Sequence, residues 1–357
     1  MLVHEAEQKS AIPNQQQVAE KLELVLQEQA SIAYGSGTTI ADLGQLSGGA
    51  SRETWSFDAV LADGQRIPLI LKRDPLIFQD DGSFTTVETE MGISRLTEGL
   101  LFRLAAKAGT PAPEVPFFLE PDDRTTAGFV SHRLVGEALG ARISRREQYA
   151  AARSKLAFEC GFAAARFHGI PISELPEMSS LDTDQEFDHY RSNMRSYGHP
   201  QPGFEYGFRW LEERRELAGD AMALVHGDFR NGNILVDEEG LKGVLDWEMA
   251  HVGNPLLDLG WMCVPAWRYG VYDKTVGGFG DVEQLLDGYE AGGGGTVDPQ
   301  AVRFWEIFGA IRWGVICMLM GFHHINGTKR SLENAAIGRR VAETEYDLLQ
   351  ILGSLKD

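Results

Sequence analysis

A short segment of the chain concentrates residues that suit phosphoryl transfer. Asp228 is followed by Asn233 five residues later and by Asp246 a further thirteen residues on. Phosphoryl transfer needs a well-positioned acceptor and metal ions that neutralise phosphate charge, with little covalent chemistry from the protein. In this interpretation Asp228 accepts the proton of the substrate hydroxyl, whereas Asn233 and Asp246 offer hard oxygen ligands for Mg²⁺. The structural alternative for Asp228 alone is a cap before a turn, but the three residues in this order favour catalysis.

The elements around these residues follow from hydrophobic spacing. Asn233 to Val236 and Gly243 to Leu245 are apolar runs on either side of a turn, as in a small hairpin. Near the start of the chain, alternating apolar residues and the Asp63-Gly64 turn signal predict a small antiparallel sheet. Strands are expected at Asp42 to Leu46, around Trp55 to Ala59, at Arg66 to Leu71, Val115 to Leu119 and Gly128 to Val135.

Later segments have mainly helical spacing. We therefore expect an α+β chain with a small β-rich part, residues 1–135, and a larger helical part, residues 136–357. Helices are predicted at Val18 to Gln29, Glu88 to Ala108, Arg145 to His168, Phe204 to Ala218, Val282 to Ala291, Val302 to Ile325 and Asn334 to Leu352.

Composition narrows the class of protein. With 33 basic and 52 acidic residues the formal net charge is −19, which argues against nucleic acid and anionic membranes as partners. The three cysteines form no CxxC pair, and each lies among apolar residues, which predicts buried thiols in a reducing compartment. The N-terminus lacks an apolar signal region, and Ile307 to Met320 is too short to span a bilayer. These features predict a cytoplasmic protein, and they identify no protein partner.

The motif residues resemble the aminoglycoside phosphotransferase family of small-molecule kinases. That family's His-Gly-Asp-x4-Asn signature and following apolar-apolar-Asp segment match His226 to Asn233 and Val244 to Asp246. The resemblance covers roughly residues 40 to 260 and implies a two-lobed, protein-kinase-like fold, ATP as phosphate donor and Mg²⁺. The helical tail, with Arg312, His323 and Glu343 among others, resembles the kinase domain fused to some acyl-CoA dehydrogenases.

The resemblance also implies a nucleotide site in the β-rich part. Lys72 corresponds to the lysine that contacts the α and β phosphates, and Glu98 is its best partner, with Glu88 and Glu90 as alternatives. Without a ligand, Lys72 would be an ordinary lysine at the end of a strand. A Gly-Gly turn precedes the lysine strand, and the segment that would bind adenine follows it. The implied contacts are Gly48, Gly49 and Ser51 to phosphate, and Ser131 and Arg133 near adenine.

Some roles stay open at this stage. Glu248 could bind a second metal, face the substrate or be only an acid at a helix start. His226 and His168 are expected to be structural, and Asp258 to anchor the catalytic loop. The tail mixes arginines with aromatic residues, which favours an acceptor with an apolar body and an anionic group, such as a hydroxyacyl-type metabolite. The alternatives are an aminoglycoside acceptor, a catalytically idle nucleotide-binding protein of the same fold, or a protein kinase.

Overall fold

The chain folds into two compact units. The computed structural model describes residues 15–46, 53–78, 84–86, 92–122 and 124–355. One unit contains residues 1–103 and 113–134, and the other contains residues 104–112 and 135–357. The division at residue 135 stays a prediction, and the structure assigns residues 104–112 to the second unit.

The first unit is built on an antiparallel sheet. In its five-stranded sheet the strand order is β1-β2-β3-β7-β6, and β4 pairs with β5 separately. Alternate residues of β2 (Trp55, Phe57 and Ala59) are buried, as the period of two requires for a sheet with one covered face. The strands are β1 Thr39–Gln45, β2 Glu53–Val60, β3 Arg66–Arg73, β4 Leu76–Phe78, β5 Phe84–Thr86, β6 Phe117–Leu119 and β7 Gly128–His132.

Helix α1 (Gln15–Tyr34) covers this sheet with the apolar face formed by Leu22, Val25 and Leu26. Helix α2 runs from Arg95 to Ala108, which is seven residues later than the predicted start at Glu88. A side chain at Gly99 would meet Phe118 at 2.5 Å and Phe129 at 2.8 Å, so α2 packs directly on the sheet.

The second unit is mainly helical. Two short hairpin-like pairs, β9 with β10 and β8 with β11, are its strand pairs in the described part of the chain. Its helices are α3 Gly140–Arg145, α4 Ala150–His168, α5 Thr183–Ser196, α6 Pro202–Glu212, α7 Leu256–Cys263, α8 Val282–Ala291, α9 Pro299–Asn326, α10 Leu332–Gly338 and α11 Val341–Ser354. Its strands are β8 Ala223–Val225, β9 Ile234–Val236, β10 Leu241–Val244 and β11 His251–Gly253.

Three predicted helices are interrupted. The helix expected over Phe204 to Ala218 ends at Glu212, and a separate 3₁₀ turn covers Arg215–Ala218. The helix expected over Arg145 to His168 is divided, because Arg146 is extended (φ −76°, ψ 139°) and a 3₁₀ turn precedes α4. The helix expected over Asn334 to Leu352 breaks after Gly338. A Cβ at Gly338 would lie 2.5 Å from the Cα of Gly321, so the break allows α10 to cross α9 at close range.

Helix α9 forms the centre of the second unit. By length and composition it could cross a membrane, with a mean hydropathy of 1.3, but 72% of its apolar window is buried against the rest of the chain. Phe304, Phe308 and Ile311 of α9 pack in the core with Phe204 and Phe208 of α6. The structure thus uses α9 as a core helix, as expected for the apolar segment.

Candidate active site

The loop 226–233 joins β8 to β9 and carries the motif residues. Gly227 has φ +79°, and an added Cβ would lie 2.2 Å from the carbonyl oxygen of Met249. Only glycine fits this position, because both the backbone conformation and the available space exclude a side chain. The Gly of the motif is therefore required by the turn that presents Asp228.

Asp258, in the first turn of α7, anchors this loop through hydrogen bonds to its backbone. Its fully buried carboxylate accepts hydrogen bonds from the backbone N–H of His226 (2.8 Å) and Gly227 (3.0 Å). His168 Nε2 lies 3.1 Å from the same carboxylate. Burial opposes ionisation, but the His168 hydrogen bond and the nearby histidines outweigh it and hold the pKa of Asp258 below its ordinary value. The carboxylate thus fixes the loop backbone while it stays charged.

His226 links the loop to the strand that leads to Asp246. Its Nε2–H donates to Leu245 O at 2.9 Å, and its Nδ1 accepts from the backbone N–H of Asp228 at 3.2 Å. Complete burial lowers the pKa of His226, although nearby carboxylates partly counteract this shift. A neutral ring with this tautomer satisfies both contacts, so His226 orients the loop.

Three side chains hold the carboxylate of Asp228. Oδ1 accepts from Trp261 Nε1 (2.8 Å) and Arg230 Nε (3.0 Å). Oδ2 accepts from Asn233 Nδ2 and from the bifurcated Arg230 Nε–H at 3.2 Å. Because the Arg230 contact is shared between the oxygens, Oδ2 retains capacity for one more donor, as a reacting hydroxyl requires. The side chain is 16% exposed, so such a donor can reach it.

Asn233 and Asp246 are brought together by the backbone. Asn233 Nδ2 also donates to Asp228 O at 3.0 Å, which fixes the amide so that its oxygen faces away from Asp228. The backbone N–H of Leu245 donates to Asn233 O at 2.8 Å, and Asp246 follows directly in a left-handed conformation (φ 67°, ψ 62°). Such conformations in non-glycine residues occur often at functional sites. Asn233 thus contacts Asp228 directly, and Asp246 follows the residue whose backbone N–H is bonded to Asn233.

Glu248 lies in the 3₁₀ turn Trp247–Met249, two residues beyond Asp246, and is half-buried. In the described part of the chain, no cluster of three His, Cys, Asp or Glu residues could hold a metal by itself. A Mg²⁺ ion that binds with a nucleotide does not need such a cluster, because phosphates and water supply most of its ligands.

The first unit contains the predicted lysine–glutamate pair. Lys72 Nζ, on β3, lies 3.2 Å from Glu98 Oε1 on α2, and the Glu98 carboxylate is fully buried. Arg95 also contacts Glu98 and lies 3.3 Å from Asp74. The structure thus pairs Lys72 with Glu98, and their role toward a nucleotide stays a prediction.

The remaining predicted contacts differ in what the structure says about them. Gly48, Gly49 and Ser51, like the alternatives Glu88 and Glu90, lie outside the described residues. Ser131 is buried within β7. Arg133 donates to Ser56 Oγ (2.8 Å) and Asp58 Oδ1 (3.2 Å), so its guanidinium is held against β2.

Sequence reasoning missed two residues that contact the Asp228 carboxylate, Arg230 and Trp261. Their sequence positions relative to the motif could have indicated both. Arg230 stands two residues after Asp228, and Trp261 follows Asp258 by three residues, one turn along the same helix. The arginines and aromatic residues of the helical tail do not all meet in one place. Arg303 pairs with Glu306, and Trp305 donates to Ala218 O.

Comparison with known proteins places this geometry in context. A model of the phosphotransferase enzyme family (APH) matches residues 42–305, which is most of the chain. A stretch of 53 residues is 43% identical to acyl-CoA dehydrogenase family member 11 of Gallus gallus and covers 14% of this chain and 7% of that protein. The Pongo abelii protein of the same name is 31% identical over 98 residues, which are 25% of this chain and 12% of that protein. The chain therefore matches only about a tenth of the length of these relatives.

Solved structures share the fold at low sequence identity. A protein from Ralstonia eutropha assigned to the aminoglycoside phosphotransferases has a TM-score of 0.69 and 18% identity, with 95% of this chain and 99% of that chain covered. Aminoglycoside phosphotransferase APH(4)-Ia, in a complex with AMP-PNP and hygromycin B, gives a TM-score of 0.59 and 18% identity, with 94% and 99% covered. Macrolide 2'-phosphotransferase MphH from Brachybacterium faecium gives 0.56 and 16%, with 94% and 99% covered. The predicted α+β, protein-kinase-like fold class is confirmed.

Proposed function

Because the chain belongs to the phosphotransferase enzyme family, we propose that it transfers the γ-phosphoryl group of ATP to a hydroxyl of a small molecule. The observation that carries the proposal is the carboxylate of Asp228, which three side chains orient while Oδ2 can still accept one hydrogen bond. A base must lie within hydrogen-bond reach of the proton that it removes, and this oxygen meets that requirement.

Asp228 acts in this scheme as the catalytic base. Oδ2 accepts a hydrogen bond from the acceptor hydroxyl, orients its oxygen toward the γ-phosphorus and takes the proton. As the new oxygen–phosphorus bond forms, the bond between the γ-phosphorus and the β–γ bridging oxygen breaks, and ADP leaves. Arg230 and Trp261 keep the carboxylate in place during this step, since both donate to Oδ1. The proton leaves Asp228 when the phosphorylated product is released.

Asn233 and Asp246 are the proposed ligands of Mg²⁺. The fit rests on the donor set, because a carboxylate and an amide oxygen are hard ligands and the amide oxygen of Asn233 makes no hydrogen bond within the described residues. When bound, Mg²⁺ neutralises charge on the nucleotide phosphates. Glu248 is a further proposed contact, to a second metal ion or to the substrate.

The proposed nucleotide contacts belong to the first unit. Lys72, held by the buried Glu98, would contact the α and β phosphates. Gly48, Gly49 and Ser51 would place backbone N–H groups against phosphate, and Ser131 and Arg133 would lie near adenine. The family match and the nucleotide analogue bound to a fold neighbour support ATP as the donor.

We propose a hydroxylated, hydroxyacyl-type metabolite as the acceptor, and a cytoplasmic location. The stretches similar to acyl-CoA dehydrogenase family member 11 support the acceptor class. The three described cysteines are free and buried, as expected in a reducing compartment. An aminoglycoside acceptor is the alternative, favoured by the hygromycin B complex of a fold neighbour.

The test is turnover of ATP by the purified protein with three acceptor groups: hydroxyacyl-CoA thioesters, aminoglycosides and a generic protein substrate. Acceptor-dependent ADP formation with the thioesters supports the proposal. A kcat/KM for any aminoglycoside of about 10⁴ M⁻¹s⁻¹ or more, which lies in the ordinary enzyme range, would replace the acceptor class. No turnover with any hydroxyl compound, despite ATP binding, would identify an idle nucleotide-binding protein.

A further inference from the structure

Three tryptophans of the second unit form a continuous aromatic cluster beside the catalytic carboxylate. The ring centroids of Trp261 and Trp267 are 5.3 Å apart, and those of Trp267 and Trp313 are 4.9 Å apart. Trp261 is the member that donates to Asp228. Trp261 and Trp267 are buried, whereas Trp313 and the adjoining Ile316 are only partly buried, so the cluster reaches the surface of its unit at that edge.

Each tryptophan carries an arginine on its face. Arg312 lies 4.5 Å from the ring of Trp261, Arg230 lies 4.5 Å from Trp267, and Arg340 lies 5.6 Å from Trp313. Cation–π contacts of this kind hold a guanidinium in place while its N–H groups stay available at the edges.

The three arginines differ in their charge partners. Arg230 is paired with Asp228 and Arg340 with Glu343. Arg312 is only 2% exposed, yet no carboxylate lies within 4.0 Å of its guanidinium in the described part of the chain, and its Nε–H donates to the neutral hydroxyl of Tyr190 at 2.8 Å. The nearby Glu186 already has a partner, His251, at 2.9 Å. A buried guanidinium without a carboxylate is costly, and the cation–π contacts offset only part of that cost.

Unsatisfied donors occur at the same place. Arg312 Nη1, Trp267 Nε1 and Trp313 Nε1 are buried and have no acceptor among the described residues. All three are groups that donate and never accept. Arg312 Nε has the Tyr190 hydroxyl as its acceptor, but Nη1 of the same buried guanidinium has none among the described residues, and an anion would satisfy it.

We propose that the phosphate acceptor carries an anionic group, a carboxylate or a phosphate, that Arg312 binds, and that its apolar body lies against the tryptophan cluster. The inference rests on the proposed function, and it narrows the substrate class. Trp261 joins the two sites, because its N–H holds Asp228 and its face holds Arg312. The reacting hydroxyl and the anionic group are then separated by about the width of one indole, which suits a short hydroxylated acid.

Matched probes test the inference. The pairs are 3-hydroxybutyrate and 6-hydroxyhexanoate, each with its uncharged amide, and glycerol 3-phosphate with glycerol. Arg312→Met removes the charge with little change in volume, and Arg312→Lys restores the charge without the planar fork. Arg214→Met is the control, because that arginine also lies on a tryptophan face (Trp210, 4.6 Å), stands outside the cluster and pairs with Glu213.

The first measurement is binding of each probe in the presence of a non-hydrolysable ATP analogue, and the second is phosphoryl transfer. We expect the wild type and Arg214→Met to bind one anionic class more tightly than its neutral partner by about tenfold to a hundredfold, the range for a hydrogen bond to a charged group. Arg312→Met should lose this preference and Arg312→Lys should recover part of it. The acid and phosphate pairs distinguish carboxylate from phosphate recognition.

The outcomes separate the two proposals. Anion binding that depends on Arg312, without phosphoryl transfer, supports the subsite and overturns the proposed function. Phosphoryl transfer to neutral and anionic probes alike, with the same preference in Arg312→Met, overturns the subsite and leaves the function intact. No preference for either anionic class in the wild type also overturns the subsite. Melting temperatures of the variants and unchanged binding of the ATP analogue show that each variant is folded.

Discussion

The two units hold their functional side chains by different means. In the first unit, Lys72 is 25% exposed and is positioned by an ion pair to Glu98, a carboxylate that also serves Arg95. In the second unit, Asp228 is positioned by directed hydrogen bonds from Trp261, Arg230 and Asn233.

The difference determines how far the fold around each site depends on the residues that hold its side chains. If Lys72 is removed, Glu98 keeps Arg95 as a partner, so no uncompensated charge is left in the interior. The loop that carries Asp228 depends on Asp258, whose buried carboxylate accepts hydrogen bonds from the backbone N–H groups of His226 and Gly227. The fold of the first unit should therefore tolerate loss of Lys72, whereas the loop in the second unit should lose its structure without Asp258.

Replacement of the base is expected to have the largest effect. Asp228→Asn preserves shape but removes the proton acceptor, and kcat should fall by about 10²–10⁴, the range for a positioned acid or base. ATP binding should change little, whereas the melting temperature should fall, because an amide cannot accept from Trp261, Arg230 and Asn233 as the carboxylate does. The control is Asp237→Asn, which alters an aspartate of the β9–β10 turn. Near-normal steady-state turnover in Asp228→Asn would contradict the assignment of this carboxylate as the base.

The buried anchor gives the direct test of the comparison. Asp258→Asn should lower the free energy of unfolding by about 3 kcal/mol, because hydrogen bonds to a charged group contribute about 1.5–3 kcal/mol and the amide loses at least one of them. Lys72→Met should change it by less than about 1 kcal/mol, the usual range for a partly exposed pair, and should raise the KM for ATP. Denaturant unfolding of both variants measures the two values, and equal losses would show that the supports do not differ.

Replacement of Asp246, the proposed Mg²⁺ ligand, is expected to have a smaller effect on the free energy of unfolding. Asp246→Ala should remove the part of the stabilisation by ATP that depends on Mg²⁺, about 2.7 kcal/mol at a ligand concentration of 100 times Kd. The measurement is a thermal-shift series with ATP, with and without Mg²⁺. Glu248→Ala run in parallel separates the two carboxylates. An unchanged Mg²⁺-dependent shift in Asp246→Ala would place the metal elsewhere.

The sequence predicted what is local. The catalytic loop lies within eight consecutive residues, so spacing alone indicated Asp228 and Asn233, and the family inferred from that motif is confirmed by the match over 42–305. The order of the first three strands also followed from alternation and the Asp63-Gly64 turn.

Three features were not predicted from the sequence: the break before α4, helix α5 and the surroundings of Arg312. The break before α4 is fixed by Arg153, which donates to Ile143 O (3.0 Å) and Arg146 O (2.7 Å) and so stabilises the extended residue. Helix α5 has a capping box at Asp182 and Gln185 that sequence reasoning could have recognised. The lack of a carboxylate within 4.0 Å of Arg312 among the described residues has no local signal in the sequence, since it arises from the packing of α5, α7 and α9 around one guanidinium.

A pH series gives the smallest effect and sharpens the comparison, because the second unit contains a buried histidine–glutamate pair, whereas Glu98, the described ion-pair partner of Lys72, is a carboxylate. His251 Nε2 lies 2.9 Å from Glu186, and its Nδ1–H donates to Met249 O at 3.0 Å. Burial disfavours the charged form of both groups, but the hydrogen bond and the opposite charge of the partner have a larger effect on each. The pKa of His251 is therefore raised above 6.5, and the pKa of Glu186 is lowered below 4.5. The pair therefore stabilises the fold fully between these values.

Its contribution should decline as pH rises through the folded pKa of His251, and as pH falls through that of Glu186. Near pH 5.5 we expect the free energy of unfolding of Glu186→Gln to be about 1–2 kcal/mol lower than that of the wild type, in keeping with the loss of a hydrogen bond to a charged group. The gap should narrow toward pH 9, where the histidine loses its proton in both states. Glu174→Gln, at an exposed pair with Lys107, is the control and should show a small gap at every pH. A gap for Glu186→Gln that stays constant from pH 5.5 to pH 9 would mean that the histidine is neutral throughout and that packing alone holds this part of the second unit.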